Sequence, residues 1–371
     1  MVEKKMLLTG VIGCGNAGSQ VADLAQDNGF DCFIINSSIR DMSTVNFTQE
    51  RMAIIGEGRG VGKDRRRSKE YMKLSIKEQV INAKVFKDFM NLKEVVFIVS
   101  STGGGTGSGL APTLLNLLQH LYPNTKFILV GILPTDNESY DTLENTVQYM
   151  QELNKLNCTY MSYDNNKAPS RLEGKKYINE QIVEDFKVIR GDYIDTALND
   201  AIDENDMATI LSYPGRLAVG RVNNIDAELP LNELILDSIS NNSYSTDISG
   251  KKVAVYGIMS SLTVQLATKF DDNIIGIRKK LGEARLFKNI AKSTTTNKIA
   301  VIANGLNMIT TKMNEIVDRV NEMKLEIEEQ NDSTINDTWS SYIVDDTDTT
   351  VSTNTQQEEQ EFDMDEFLAG I

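Results

Sequence analysis

The chain has 371 residues, 40% of them hydrophobic and 25% charged, and a net charge of −15; this is globular composition, with length for one large domain or two ordinary ones. No apolar run approaches the about 18 residues of a membrane span, and the apolar stretch after Met1 meets Gly13 and Gly15 too soon for a signal sequence, so a cytoplasmic protein is expected. Three scattered cysteines (Cys14, Cys32, Cys158) and one histidine (His120) argue against a disulfide framework, clustered zinc ligands and Ser-His-Asp chemistry, leaving general-base work to carboxylates or bound water.

Between residues 7 and 133, strand and helix patterns alternate. Residues 7–12 read as a strand ending in glycines, 17–28 as a helix, 31–35 as a strand, 75–90 as a helix, 95–99 as a strand, 110–121 as a helix and 126–133 as a strand. That order predicts an α/β fold with a doubly wound parallel sheet, over a first domain of residues 1–176. Residues 58–69 carry several cations and no apolar period, which predicts a mobile basic loop.

Ile178, Ile182, Phe186, Ile189 and Tyr193 recur at spacings of three and four, predicting a long central helix over 177–199. A smaller α/β unit over 200–305 is expected from strands at 253–259 and 298–303 and a helix at 272–281. Ile309, Met313, Ile316, Val320, Met323 and Ile327 predict an amphipathic helix over 306–330. From residue 331 to 371 there are eleven Asp or Glu and no Lys or Arg, so the body is only mildly acidic and this tail is expected to be disordered. Its last residues, Phe362, Met364, Phe367 and Leu368 among carboxylates, have the pattern of a short docking peptide.

Two glycine loops carry the chemistry. Gly13-Cys14-Gly15-Asn16-Ala17-Gly18 lies between a strand and a helix, as a dinucleotide fingerprint does, but the next strand ends Ile35-Asn36-Ser37-Ser38 without the acidic residue a NAD-dependent oxidoreductase places there. Gly103-Gly104-Gly105-Thr106-Gly107-Ser108-Gly109 is more specific: between a strand and a helix, successive backbone N–H groups wrap phosphate oxygens while the helix dipole favours their charge. No Lys-Ser or Lys-Thr follows, so this is not a Walker loop. In Asp203-Glu204-Asn205-Asp206, two carboxylates three residues apart at a helix start either orient a water or cap the helix.

Together these motifs resemble the tubulin/FtsZ superfamily, whose signature is Gly-Gly-Gly-Thr-Gly-Ser/Thr-Gly, over roughly residues 7–330. The resemblance implies GTP or GDP with Mg²⁺, held by Gly15, Asn16 and Gln20 in a first loop, Asn36 in a second, Gly58 and Gly60 in a γ-phosphate-sensing third, and Gly103, Gly104, Gly105, Thr106, Gly107 and Ser108 in the signature loop; it assigns no metal-ligating side chain. Pro134-Thr135-Asp136-Asn137-Glu138 is similar to FtsZ's Pro-Phe-x-x-Glu, which puts Glu138 on the ribose. Tyr177 would cover the guanine face and Asn179 pair with its edge, with Glu180 and Gln181 as alternatives. Asp203 and Asp206 look like the catalytic aspartates of FtsZ's synergy loop, although Ala201 stands where FtsZ has an asparagine.

The family implies a GTPase that assembles head to tail, each subunit's synergy loop completing its neighbour's site. Within it the chain most resembles the TubZ plasmid and phage segregation tubulins. That implies DNA held indirectly through a DNA-binding adaptor (TubR-like) docked on the tail, and no membrane contact. A phage spindle tubulin (PhuZ-like) is the alternative, and an oxidoreductase the distant one.

Overall fold

The computed structural model describes residues 7–76, 80–169, 174–193, 202–225, 230–240, 253–282, 284–293, 297–307 and 310–339. Its first half is a parallel sheet of β1 (Thr9–Cys14), β2 (Asp31–Asn36), β3 (Met52–Ile54), β4 (Val95–Ser101), β5 (Lys126–Leu133) and β6 (Thr159–Asp164), in spatial order 3-2-1-4-5-6. The Val-Val-Phe-Ile-Val run that opens β4 is buried along its whole length. Such a run needs cover on both faces, and the crossover helices supply it. Val95, Phe97 and Val99 pack beneath α1 (Gly15–Asp27) and α7 (Gly174–Arg190). Val96 and Ile98 pack on the other face. After the single turn α2 (Ile39–Met42), that face is covered by α3 (Arg65–Ile76), α4 (Lys84–Met90), α5 (Thr106–Leu121) and α6 (Tyr140–Leu153).

The second half continues the same sheet. After α8 (Glu204–Leu211), β7 (Gly215–Asn223) pairs with β6 in parallel at only two positions, Thr159 with Gly215 and Tyr160 with Arg216. Then β10 (Lys298–Leu306) runs antiparallel to β7 and to β8 (Val255–Leu262), and β9 (Arg285–Lys292) pairs in parallel with β8 at the edge. Ile235, Ile239, Phe270 and Ile277 of α9 (Leu231–Ser240) and α10 (Val264–Leu281) close a separate apolar cluster over these strands. The expected C-terminal α/β unit is therefore an extension of one sheet, joined at a short seam.

Several predicted boundaries change, among them the helix expected over 272–281, which begins at Val264. Residues 65–69 are not loop but the first turns of α3, because Arg65 is buried by ion pairing while Ser68, Met72 and Ile76 form the inward stripe. The helix expected over 75–90 is instead the end of α3 and the separate α4. The central helix begins at Gly174 and stops at Arg190, where Gly191 takes φ 94° and donates to Lys187 O at 3.0 Å; residues 194–201 lie outside the described residues. Finally α11 (Thr311–Trp339) overruns the expected end at Gln330 by nine residues, since no Gly or Pro interrupts it. It packs Ile316 and Val320 against Leu143 of α6. Ile309 and the docking peptide at 362–368 lie outside the described residues.

Across the α7–β7 seam, Arg221 Nε donates to Asp185 Oδ1 (2.7 Å), its Nη2 to Gln181 Oε1 (2.7 Å), and Tyr163 OH donates to Asp185 Oδ2 (2.9 Å). Asp185 is fully buried, so Arg221→Met leaves that carboxylate without its facing cation and should cost about 3 kcal/mol in urea unfolding. A loss under about 1 kcal/mol would show the pair to be marginal.

All three cysteines are buried and unpaired. Burial pushes the Cys158 thiol up to about 12, and those of Cys14 and Cys32 higher still. With so little thiolate, none should react with a thiol reagent at pH 8 until the chain unfolds. Rapid labelling of the native protein would contradict that burial.

Candidate functional site

The strand order reverses between β1 and β4, so the crevice at their carboxyl ends is where an open α/β sheet binds ligands. Both glycine loops converge there. Gly15 takes φ 68° to turn from β1 into α1, and a Cβ on it would lie 2.8 Å from Gly107 N. A Cβ on Gly18 would collide with Val99 O, which is why α1 can lie so close to β4. The predicted helix start at residue 110 moves back: α5 begins at Thr106, inside the signature loop. The N–H groups of Thr106, Gly107 and Ser108 therefore lack acceptors within the helix and form its positive end.

Around that end most directions are filled. A Cβ on Gly103 would strike Thr142, one on Gly105 would strike Gly62 O, and one on Gly107 would come within 2.6 Å of Cys14 O. Gly104 differs: nothing lies nearer than Ser101 Oγ at 3.8 Å. Its open side is the cradle a phosphate chain would fill. At the end of β2, Asn36 Oδ1 accepts from Ser37 N (2.8 Å) and Ser38 N (3.3 Å), and Ser37 Oγ meets Thr106 Oγ1 at 2.7 Å. Asn36 Nδ2 is buried with no partner. An unpaired buried donor costs about 1–3 kcal/mol, which an acceptor-rich ligand at this edge would offset. These features fit a nucleotide's phosphates.

The third loop is pinned, not mobile. Gly58 and Gly60 adopt left-handed φ values of 77° and 78°, Gly58 O accepts from Ile39 N (2.9 Å), and Gly60 N donates to Ser37 O (2.7 Å). At its end Lys63 Nζ donates to Ser139 Oγ and Thr142 Oγ1, both at 2.6 Å. Asn145 Nδ2 bridges Lys63 O (2.8 Å) and Gly103 O (3.3 Å).

The remaining predicted residues sit around this centre. Gln20 Nε2 donates to Asn16 Oδ1 (3.4 Å) on α1. Glu138 is exposed in the turn after β5, whose Asp136 is held by Lys312 of α11. Tyr177 and Asn179 are half-buried near the start of α7, whereas Gln181 has its Oε1 engaged by Arg221. Among the described residues, no hydrogen bond joins Glu138, Tyr177 or Asn179 to the glycine loops.

Asp203 and Asp206 are elsewhere. They form a reciprocal capping box: Asp206 N donates to Asp203 Oδ1 (2.8 Å) and Asp203 N to Asp206 Oδ2 (3.4 Å). Each carboxylate keeps one oxygen outside the box. The 17 residues of α7 span about 25 Å, from beyond β6 to Arg190 O, which accepts from Leu7 N just ahead of β1. The end of α8 is fixed at the same amino edge, where Thr159 Oγ1 donates to Leu211 O and Tyr213 O, both at 3.1 Å. The box opens this eight-residue helix, so it lies within about 12 Å of the amino edge, whereas the glycine loops lie at the carboxyl edge; Ala201 is outside the described residues.

The Tubulin/FtsZ family GTPase domain matches residues 9–170, the segment that builds this crevice. That segment is a tubulin/FtsZ-family GTPase domain. The chain's relatives in this family of GTP-binding, filament-forming GTPases include the tubulin-like protein CetZ of Pyrococcus abyssi, 28% identical over 264 residues, or 67% of this chain and 71% of the relative. The tubulin-like protein TubZ of Clostridium botulinum C phage is 26% identical over 208 residues, 53% of this chain and 55% of the relative. The fold is that of CetZ2 from Haloferax volcanii, solved as a GTPγS-bound protofilament: TM-score 0.71 at 19% identity, covering 86% of this chain and 99% of that one. The oxidoreductase alternative is set aside by this membership. Among the described residues no helix is long and apolar enough to cross a membrane.

Sequence reading missed Lys63, Arg65, Thr142 and Asn145 as site-shaping residues. The signal for α6 was present in Leu143, Val147, Met150 and Leu153, spaced by four and three, with Ser139 ahead of them. Arg65 was hidden in a run of three arginines.

Proposed function

We propose that the crevice binds GTP and hydrolyses it within a head-to-tail filament, Asp203 and Asp206 of the next subunit completing the site. The observation that carries this reading is that the glycine loops lie at the carboxyl edge of the sheet while the capping box opens α8, whose end is held at the amino edge. One subunit cannot close that gap, whereas stacking the amino edge of one on the carboxyl edge of the next does. Such a heterologous contact does not close on itself and gives filaments.

In this reading the N–H groups of Thr106, Gly107 and Ser108 hold phosphate oxygens, Asn36 Nδ2 finds its acceptor, and the 58–62 loop senses the γ-phosphate. Mg²⁺ would be held by phosphate oxygens and water and would neutralise developing charge. Asn179 is a better guanine partner than Gln181, which already serves Arg221, and Glu138 is assigned to the ribose. The capping box fixes both carboxylates while leaving an oxygen of each to orient the attacking water, so no titrating histidine is needed. Electron microscopy with GTP, GDP or NAD tests the class: filaments with GTP alone support it, and equal assembly with NAD or with no nucleotide would sink it.

For the filament's task we propose DNA segregation through a basic DNA-binding adaptor on the acidic tail, supported by the TubZ relative and by the nine carboxylates beyond Trp339. The CetZ relatives, matched over a larger share of the chain, favour a second reading, a filament without DNA cargo. Filaments recovered from source cells should carry DNA enriched for one locus, and truncation after Trp339, which keeps α11 whole, should remove the DNA but not assembly. Filaments without enriched DNA would favour the second reading.

A further inference from the structure

Arg65 opens α3 directly after the third loop, and its side chain is 2% exposed. Its guanidinium makes four hydrogen bonds to three residues on two elements. Nε donates to Ser108 Oγ (3.2 Å) and Nη2 to Ser108 O (2.9 Å), in the first turn of α5. On α6, Nη1 donates to Gln148 Oε1 (3.2 Å) and Nη2 to Glu152 Oε1 (3.0 Å). Ser108 Oγ in turn donates to Gly104 O. The planar fork thus fixes a residue whose hydroxyl turns the Gly104 carbonyl back into the helix, leaving amides and not a carbonyl dipole toward the open cradle.

The charge is also distinctive. Glu152 is shared with Lys69 Nζ at 2.7 Å, so two cations face one carboxylate beneath the phosphate loop. The same strut anchors the end of the third loop, whose Gly62 O lies where a Cβ on Gly105 would be, and Ser68 Oγ ties α3 to Thr106 O at 2.9 Å. The family signature contains Ser108 but not Arg65, Ser68, Lys69, Gln148 or Glu152.

We propose that Arg65 is a positioning residue for nucleotide selection: it holds Ser108 and the third loop in register, and its partly shared charge favours the nucleotide with more phosphate charge. This rests on the phosphate site proposed above. Opposite effects of the two partners of one ion pair separate it from a purely structural role.

Full-length wild type, Arg65→Gln and Glu152→Gln are compared for binding of GTPγS and GDP by calorimetry. Loss of charge-assisted hydrogen bonding in Arg65→Gln should weaken GTPγS about tenfold and GDP distinctly less. Glu152→Gln retains an acceptor for Arg65 but removes the compensating charge, so GTPγS should tighten about threefold although the fold loses stability. Where Arg65→Gln does not fold, Arg65→Lys should keep the preference for GTPγS over GDP while weakening both. Weakening of GTPγS by Glu152→Gln, or parallel losses of GTPγS and GDP in Arg65→Gln, would make the cluster merely structural and overturn the proposal. A wild type that binds neither nucleotide would instead overturn the phosphate site itself.

Discussion

Replacing Gly104 with valine should weaken guanine-nucleotide binding at least about hundredfold, roughly 3 kcal/mol, while leaving the fold within about 1 kcal/mol of wild type. The reason is local. Gly104 does not use a left-handed φ, and a Cβ there meets nothing nearer than 3.8 Å, so the folded chain has room for the side chain. That room is the space the phosphates would occupy. Gly105, one residue on, gives the contrast: its Cβ would strike Gly62 O, so valine there must move backbone and should cost at least about 2 kcal/mol of stability. Binding by calorimetry and stability by urea unfolding separate the two; undiminished GTP affinity in Gly104→Val would sink the phosphate assignment.

Asp206→Ala should slow GTP turnover about hundredfold or more and leave filaments arrested with bound GTP. Monomer GTP affinity should be nearly unchanged, because the box opens the short helix held at the amino edge, while the glycine loops are at the carboxyl edge. Breaking the box also removes a cap, so stability should fall by about 1 kcal/mol. The cap alone predicts that modest loss with normal turnover per filament subunit, and that outcome would leave Asp206 without a catalytic role.

The parts legible in sequence were those fixed by local pattern. β4 announced itself as a fully apolar run, β5 matched its expected limits at Lys126–Leu133, and the signature loop needed only its glycines and flanking elements. What escaped was set by distant partners. Arg65 is helical and buried because Glu152 and Ser108 meet it across 87 and 43 residues. Nothing near residue 215 reveals that β7 joins β6 at only two positions. The end of α11 was misread from its polar composition, although the absence of Gly and Pro permitted the helix to Trp339. At Asp203 and Asp206 the cap and the catalytic reading were both legible, and the structure contains the cap in a form that leaves the other open.

Complementation between two inactive variants tests the two-subunit site most directly. Gly104→Val lacks a usable nucleotide cradle but keeps its aspartates, whereas the double variant Asp203→Ala, Asp206→Ala binds GTP but offers no carboxylates. Each alone should hydrolyse little GTP. Mixed at equal concentration, they should recover a substantial fraction of wild-type turnover, because the aspartates of the first meet the nucleotide of the second across a head-to-tail contact. A mixture that hydrolyses no more than the sum of its parts would contradict a site shared between subunits.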